Sequence, residues 1–344
     1  GDIETNEDYM PFIHSLMKSG KCVSGTSYAS IVGGQTANTE YEFLTGNSMS
    51  FLPKGAVAFQ LYLRHEMPSV VTELKKEGYI GNSATHLQNA RNYNRDNVYP
   101  LLGFDKFYDY KNLLVPYVKM RTQATDECTY DNIIKDYEEN RKNSDAPYLA
   151  YTMTIQNHSS YDIPFDNFDD KRITVENADA PDVGYYLSLI KYSDDAFENL
   201  VKYYENVDEP TVILLTGDHQ PRIHDESMDS ITKGEWHKWN NEEMMRRYAV
   251  PFVIWANYDI DGKTIEKTSM NYLQTILMET IGGDLTGFQK FQQDIQKEIP
   301  VLTSNGYWGA DGKFYDLDDK KSPYYDLIQE YAILQYNDLT DYKN

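Results

Sequence analysis

The sequence predicts an α/β fold built on a mostly parallel sheet, and three observations carry that prediction. Short apolar runs alternate with longer stretches of helical periodicity, the pattern of βα units. Three strand-like runs end in polar clusters, at His86, at Asn157-His158 and at Asp218-His219, as strands do when their carboxyl ends line a crevice. With 344 residues and 40% hydrophobic content, the chain has enough apolar material to bury a core without disulfide or metal staples.

The elements follow in order. Residues 9–19 place Met10, Phe12, Ile13, Leu16 and Met17 at helical spacing ahead of Gly20. Gly33-Gly34-Gln35-Thr36-Ala37-Asn38-Thr39-Glu40 opens a second helical run. A helix over 68–76 has Pro68 at its start and Gly78 past its end. A strand over 79–85 leads to His86, and helices are expected over 93–102 and 125–141. YLAYTMTI, residues 148–155, reads as a buried strand, and 182–204 as a long helix. TVILLT, residues 211–216, is the clearest strand and runs straight into Gly217-Asp218-His219. A strand over 250–255 and a helix over 264–280 follow. Residues 306–315 read as a hairpin around Asp311-Gly312, and 323–335 as a closing helix. The expected organisation is a catalytic domain over 1–298 and a small hairpin-plus-helix subdomain over 299–344.

Composition narrows the function. Acidic residues number 54 against 32 Lys plus Arg, a net charge of −22, which argues against a nucleic-acid partner. A small cationic pocket stays compatible with that average. Two cysteines are too few for a disulfide framework or a Cys-rich zinc site. Thirty tyrosines suit sugar or glycerol contacts, and equally ordinary packing. The opening GDIETNEDYM is polar and acidic, carries no signal-peptide pattern, and reads as the interior of a longer polypeptide.

Four places can carry chemistry. Asp218-His219 at a strand end pairs a hard oxygen with an imidazole, a natural metal pair; a bare Asp-His dipeptide is more simply a helix cap with a bystander His. Thr36, after two glycines at a helix start, is either a nucleophile or an N-cap, and locally the cap is the simpler reading. His158 is either a general acid or oxyanion donor, or a hydrogen-bonded loop residue, which alone is the simpler reading. Arg95, in Tyr93-Asn94-Arg95-Asp96, either clamps a phosphate or pairs with its neighbour Asp96. His14, His65, His224 and His237 have no strand-end context and read as structural.

Taken in order, Gly34-Gln35-Thr36-Ala37-Asn38-Thr39-Glu40, His86 with Asn94-Arg95-Asp96, Asn157-His158 and Gly217-Asp218-His219 resemble the extracellular catalytic domain of lipoteichoic acid synthases and related phosphoglycerol transferases, in the sulfatase branch of the alkaline phosphatase superfamily. The resemblance implies an alkaline phosphatase/sulfatase-like fold, a central sheet flanked by helices. It implies that Thr36 is the nucleophile and touches a metal, manganese or alternatively magnesium, that Asp218 and His219 also ligate. It places His86, Arg95 and His158 around a glycerophosphate pocket. Tyr93 stands where the synthases have Trp, Gln88 where they have Asp, and Gln35 where they have Lys. The family's domain opens on an apolar strand ending in a metal-binding Glu. Here seven residues precede Asp8, and none of Asp2, Glu4 and Glu7 follows an apolar run, so that ligand is unassigned.

The implied activity is transfer of glycerophosphate from a phosphatidylglycerol-type lipid, through covalent Thr36, to a polymer or glycan hydroxyl. The implied location is the extracellular face of a membrane, with anchoring helices outside this chain. A phosphodiesterase or another head-group transferase on the same scaffold is the alternative enzyme. A non-catalytic module for anionic glycans or lipid head groups is the alternative of a different class.

Overall fold

The computed structural model describes residues 3–340. Helix α1 (Pro11–Lys18) leads into strand β1 (Val23–Tyr28), VSGTSY, whose small polar side chains hid it from the sequence reading. Its smallness has a use: a Cβ on Gly25 would sit 1.8 Å from the Ile265 carbonyl oxygen of a neighbouring strand. Next come α2 (Thr36–Thr45), α3 (Ala58–Leu61) and α4 (Val70–Lys76), the last capped by the Ser69 side chain. Strand β2 (Ser83–Thr85), α5 (Arg95–Leu101), β3 (Lys106–Tyr108) and a ribbon of β4 (Lys119–Met120) and β5 (Gln123–Ala124) precede α6 (Asp126–Asn143). Strand β6 (Ala150–Thr152), the long α7 (Pro181–Tyr204) and β7 (Val212–Thr216) carry the chain to α8 (Asp225–Thr232), α9 (Asn241–Met244) and β8 (Ala249–Ala256).

The helix expected over 264–280 is a correction. Its first half is strand β9 (Lys263–Ser269), and only α10 (Leu273–Ile281) is helical. KTIEKTS alternates Thr264, Glu266 and Thr268 with Ile265, a period-2 pattern, and pairs in parallel with β1. Helix α11 (Gly287–Glu298) was also unforeseen. Strands β10 (Val301–Thr303), β11 (Gly306–Trp308) and β12 (Phe314–Tyr315) form an antiparallel sheet before α12 (Tyr325–Thr340), with the expected hairpin at β11–β12.

The central strands fall into two sheets. One has order β3-β2-β6, all parallel; the other has order β7-β8-β1-β9, in which β8 runs against both neighbours. The sheet is therefore mixed, mostly parallel apart from β8. Strands β6 and β7 each end their sheet with one unpaired edge, and both edges line a cavity of about 1680 Å³. All of β6 and β7 is only half-buried although β7 reads Val-Ile-Leu-Leu-Thr: Val212 and Leu214 pack on one apolar cluster and Ile213 and Leu215 on another, but the free edge opens on that cavity. One apolar core packs α2, α4 and α5; a second joins β1 and β8 to α10 and α12 through Phe252, Ile254, Leu273 and Tyr331.

Candidate active site

The site forms where β2, β6, β7 and the start of α2 open into the cavity. Gly33, at φ +71°, packs on the loop after β7; a Cβ there would meet Arg222 Cβ at 2.8 Å. Its N–H donates to the Gln220 carbonyl at 2.9 Å. Gln35 takes the N-cap position at φ 63° without a side-chain cap bond. Thr36 is therefore not a cap. As the first helical residue it sends its hydroxyl outward to Asp218 Oδ2 at 2.9 Å, with His219 Nε2 at 3.4 Å. A ten-residue helix behind it adds a field that favours negative charge at this point.

Asp218 and His219 are not caps either, since α8 begins only at Asp225. Thr39 Oγ1 donates to the Asp218 carbonyl at 2.7 Å and fixes the turn. His219 Nδ1 lies 2.8 Å from the Gln220 carbonyl, which makes it the protonated nitrogen and leaves the Nε2 lone pair toward Thr36 and Asp218. Asp218 Oδ2 and His219 Nε2 are 3.1 Å apart. A carboxylate, an imidazole and a hydroxyl oxygen thus converge within 3.4 Å of one another, a donor set that fits a hard or borderline divalent cation. Among the described residues no cluster of three or more His, Cys, Asp or Glu forms a complete metal cage.

Arg95 is neither a surface residue nor paired with Asp96. It is buried, its Nε donating to both oxygens of Glu40 at 3.0 and 3.2 Å, its Nη2 to Glu40 Oε1, and its Nη1 to the Asn92 carbonyl at 3.2 Å. Tyr99 adds a bond to Glu40 Oε2 at 2.5 Å. Burial alone would push the Glu40 carboxyl up, but the Arg95 charge and these hydrogen bonds outweigh it and hold Glu40 ionised. Glu40 was not singled out from sequence. The signal was available in its spacing, four residues after Thr36 on one helix. Tyr93, at φ 55°, lays its ring against the Arg95 guanidinium at 5.2 Å.

His86 is buried, its Nδ1 bonded to the Met153 carbonyl at 2.8 Å. Burial, then the nearby Arg95 charge, push its pKa down to about 4, so at neutral pH it is uncharged with Nε2 as an acceptor. His158 is exposed, its Nδ1 3.0 Å from the Ser159 carbonyl. The turn carrying it is gripped by Arg121, which donates to the carbonyls of Gln156, His158 and Ser160 at 2.7, 2.6 and 2.8 Å. Arg121, at φ 53° on the β4–β5 ribbon, is a second residue that sequence reading missed; only the fold brings it there. Gln88 is braced between Gln123 and Asn92 and lines the cavity. Thr36, His86, Tyr93, Arg95, His158, Asp218 and His219 line that same cavity, whereas Gln35 does not and reaches toward the Gly55 carbonyl.

The family is settled by a match to the sulfatase family model over residues 2–283. The chain belongs to the sulfatase family. Among its relatives, a Rhizobium meliloti protein assigned to cyclic beta-1,2-glucan modification is 29% identical over 87% of this chain and 46% of its own length. A Bacillus subtilis lipoteichoic acid synthase-like protein is 24% identical over 84% of this chain and 46% of its own length. The chain thus spans about half the length of these relatives. In fold it resembles a Streptococcus pyogenes phosphoglycerol transferase solved with sn-glycerol-1-phosphate, at TM-score 0.72 and 18% identity, over 98% of this chain and 81% of that one. The alkaline phosphatase/sulfatase-like architecture expected from the sequence is therefore the one observed. Among the described residues no helix is long and apolar enough to cross a membrane.

Proposed function

We propose that this domain transfers glycerophosphate from a phosphatidylglycerol-type lipid to a hydroxyl of a polymer or glycan through a covalent intermediate on Thr36. The observation that carries the reading is the Thr36 hydroxyl at a helix N-terminus, hydrogen-bonded to Asp218 and beside His219. Thr36 Oγ1 attacks phosphorus while its proton leaves toward Asp218 Oδ2, and the phosphorus–oxygen bond to diacylglycerol breaks. His158 gives that leaving oxygen a proton. It then takes one from the incoming acceptor hydroxyl, whose oxygen displaces Thr36 Oγ1 as Asp218 returns the proton to it. The helix terminus and the Arg95 charge stabilise the negative charge spread over the transferring group. Neutral His86 accepts a hydrogen bond from a glycerol hydroxyl, a role its uncharged state suits better than contact with phosphate. Thr36, Asp218 and His219 would hold a divalent cation, manganese first and magnesium second, which when bound withdraws charge from the phosphoryl oxygens and acidifies the hydroxyl. The free edges of β6 and β7 both border this cavity, and we read the gap between them as the seat of the family's Glu-bearing strand. We place the whole protein on the extracellular face of a membrane.

The test is glycerophosphate release from a labelled phosphatidylglycerol head-group analogue, with manganese and with EDTA. Turnover should require metal, vanish in Thr36→Ala by about 10³-fold or more, and persist in part in Thr36→Ser. Full activity in a folded Thr36→Ala protein removes the nucleophile assignment.

A further inference from the structure

We infer that Arg121 is a positioning residue for His158: its guanidinium fixes the turn whose imidazole hands a proton to the leaving oxygen. This rests on the transferase reading and adds a residue to its proton-transfer step. Asn157, His158 and Ser159 line the cavity, whereas Arg121 does not, its side chain being engaged with the backbone of that turn. Any effect of Arg121 on the reaction therefore passes through the turn. Its Nη2 donates to the carbonyls of Gln156 and His158 and its Nη1 to that of Ser160, so three carbonyls within five residues converge on one buried cation. Charge-assisted bonds from a planar fork fix direction as well as place, which a Lys ammonium does less well.

The ring depends on that backbone. His158 is exposed, and its Nδ1 lies 3.0 Å from the Ser159 carbonyl inside the same turn. That bond keeps a proton on Nδ1 and leaves Nε2 for proton transfer, aimed where the turn aims it. Arg121 is itself braced. Its N–H donates to Asn167 Oδ1 at 3.1 Å, and its guanidinium lies 5.7 Å from the Tyr185 ring of α7. The ribbon does not account for an arginine here. Arg121-Thr122 is the two-residue turn between β4 and β5, and φ 53° at its first position suits Asn or Gly better. The three carbonyls do account for it: a side chain that the local backbone disfavours is kept for what its far end holds.

The test uses Arg121→Gly in the 344-residue chain, which removes the guanidinium and suits the left-handed turn, so the ribbon keeps its fold. Two probes share a glycerophosphoryl group, one a diester with a glycerol leaving group and the other with p-nitrophenol. The aryl oxygen departs without an acid; the alkyl oxygen needs one. Arg121→Gly should lower kcat on the alkyl diester about 10²-fold and on the aryl diester about threefold at most, with KM for both within about twofold. Equal losses on the two probes mark a merely structural clamp and overturn the proposal. His158→Gln should show the same split, and Arg121→Gly added to it should cost nothing further; additive losses also overturn it. Nitrogen NMR of the imidazoles reads the same point without turnover. The parent should hold His158 as the Nδ1–H tautomer and folded Arg121→Gly should mix both tautomers, an unchanged ring signal being the overturning result. A parent that turns over neither probe sinks the transferase reading, and the tautomer still decides whether Arg121 positions His158.

Discussion

Helix α2 carries two buried glutamates, Glu40 and Glu42, on roughly opposite faces, and they have opposite fates. Glu40 faces Arg95 and Tyr99 and stays ionised. Glu42 faces only neutral donors, the Ser30 and Ser48 hydroxyls at 2.7 and 3.4 Å and the Met49 N–H at 2.9 Å, and its Oε2 has no partner. Burial, the largest influence, pushes its pKa up to about 7 against those hydrogen bonds. Neutral donors at comparable distances do not replace one guanidinium. Within a single helix, a charged carboxylate anchors the Thr36 end and a half-protonated one seats the other face.

The comparison is broken most severely by Arg95→Met, which strands Glu40 as an unpaired buried charge. Chemical denaturation should show a loss of about 3–5 kcal/mol. Glu40→Gln made on top of it should recover part of that loss; a purely additive double variant would show that the two are not coupled. Ser30→Ala should cost about 1–2 kcal/mol, with the larger loss above pH 7, where Glu42 is ionised and most needs the donor. Smallest and sharpest is Glu42→Gln. Because folding raises the Glu42 pKa from 4.5 to about 7, its contribution is complete below pH 4.5 and is lost as pH climbs past 7. The Gln variant should erase that decline while nearly matching the parent at pH 5. His86 acts in the other direction: folding lowers its pKa from 6.5 to about 4, so stability falls as pH drops through that window, and His86→Gln should flatten that limb.

Sequence reading singled out Thr36 and Asp218-His219, which the fold brings within hydrogen-bond distance, because they advertise themselves through glycines and a strand end. It missed what holds them in place. Strand β1 lies between β8 and β9, and its small residues, chosen to let Ile265 approach, look like a loop when read alone. The start of 264–280 reads as helix because its β-branched alternation is short and the real helix follows closely. Arg121 and Arg222 are brought to the site from distant segments, and no local pattern marks such convergence. Arg95 illustrates a subtler limit: the sequence marks it as a site residue, but not that most of its donors are committed to Glu40.

The far end of α2 is finished late. The Gly46 carbonyl is taken up by Gln292 Nε2 at 2.7 Å and by the Tyr331 hydroxyl, while Gln335 pairs with both backbone groups of Ser48 at 2.7 and 3.0 Å. On a ribosome, the helix that starts at Thr36 emerges near the beginning of this chain. The side chains that take up the Gly46 carbonyl and the Ser48 backbone groups just past its end are made 246 to 287 residues later. That helix therefore waits, while the rest of this chain is made, with the Gly46 carbonyl open to water, and its seat closes only when α12 arrives.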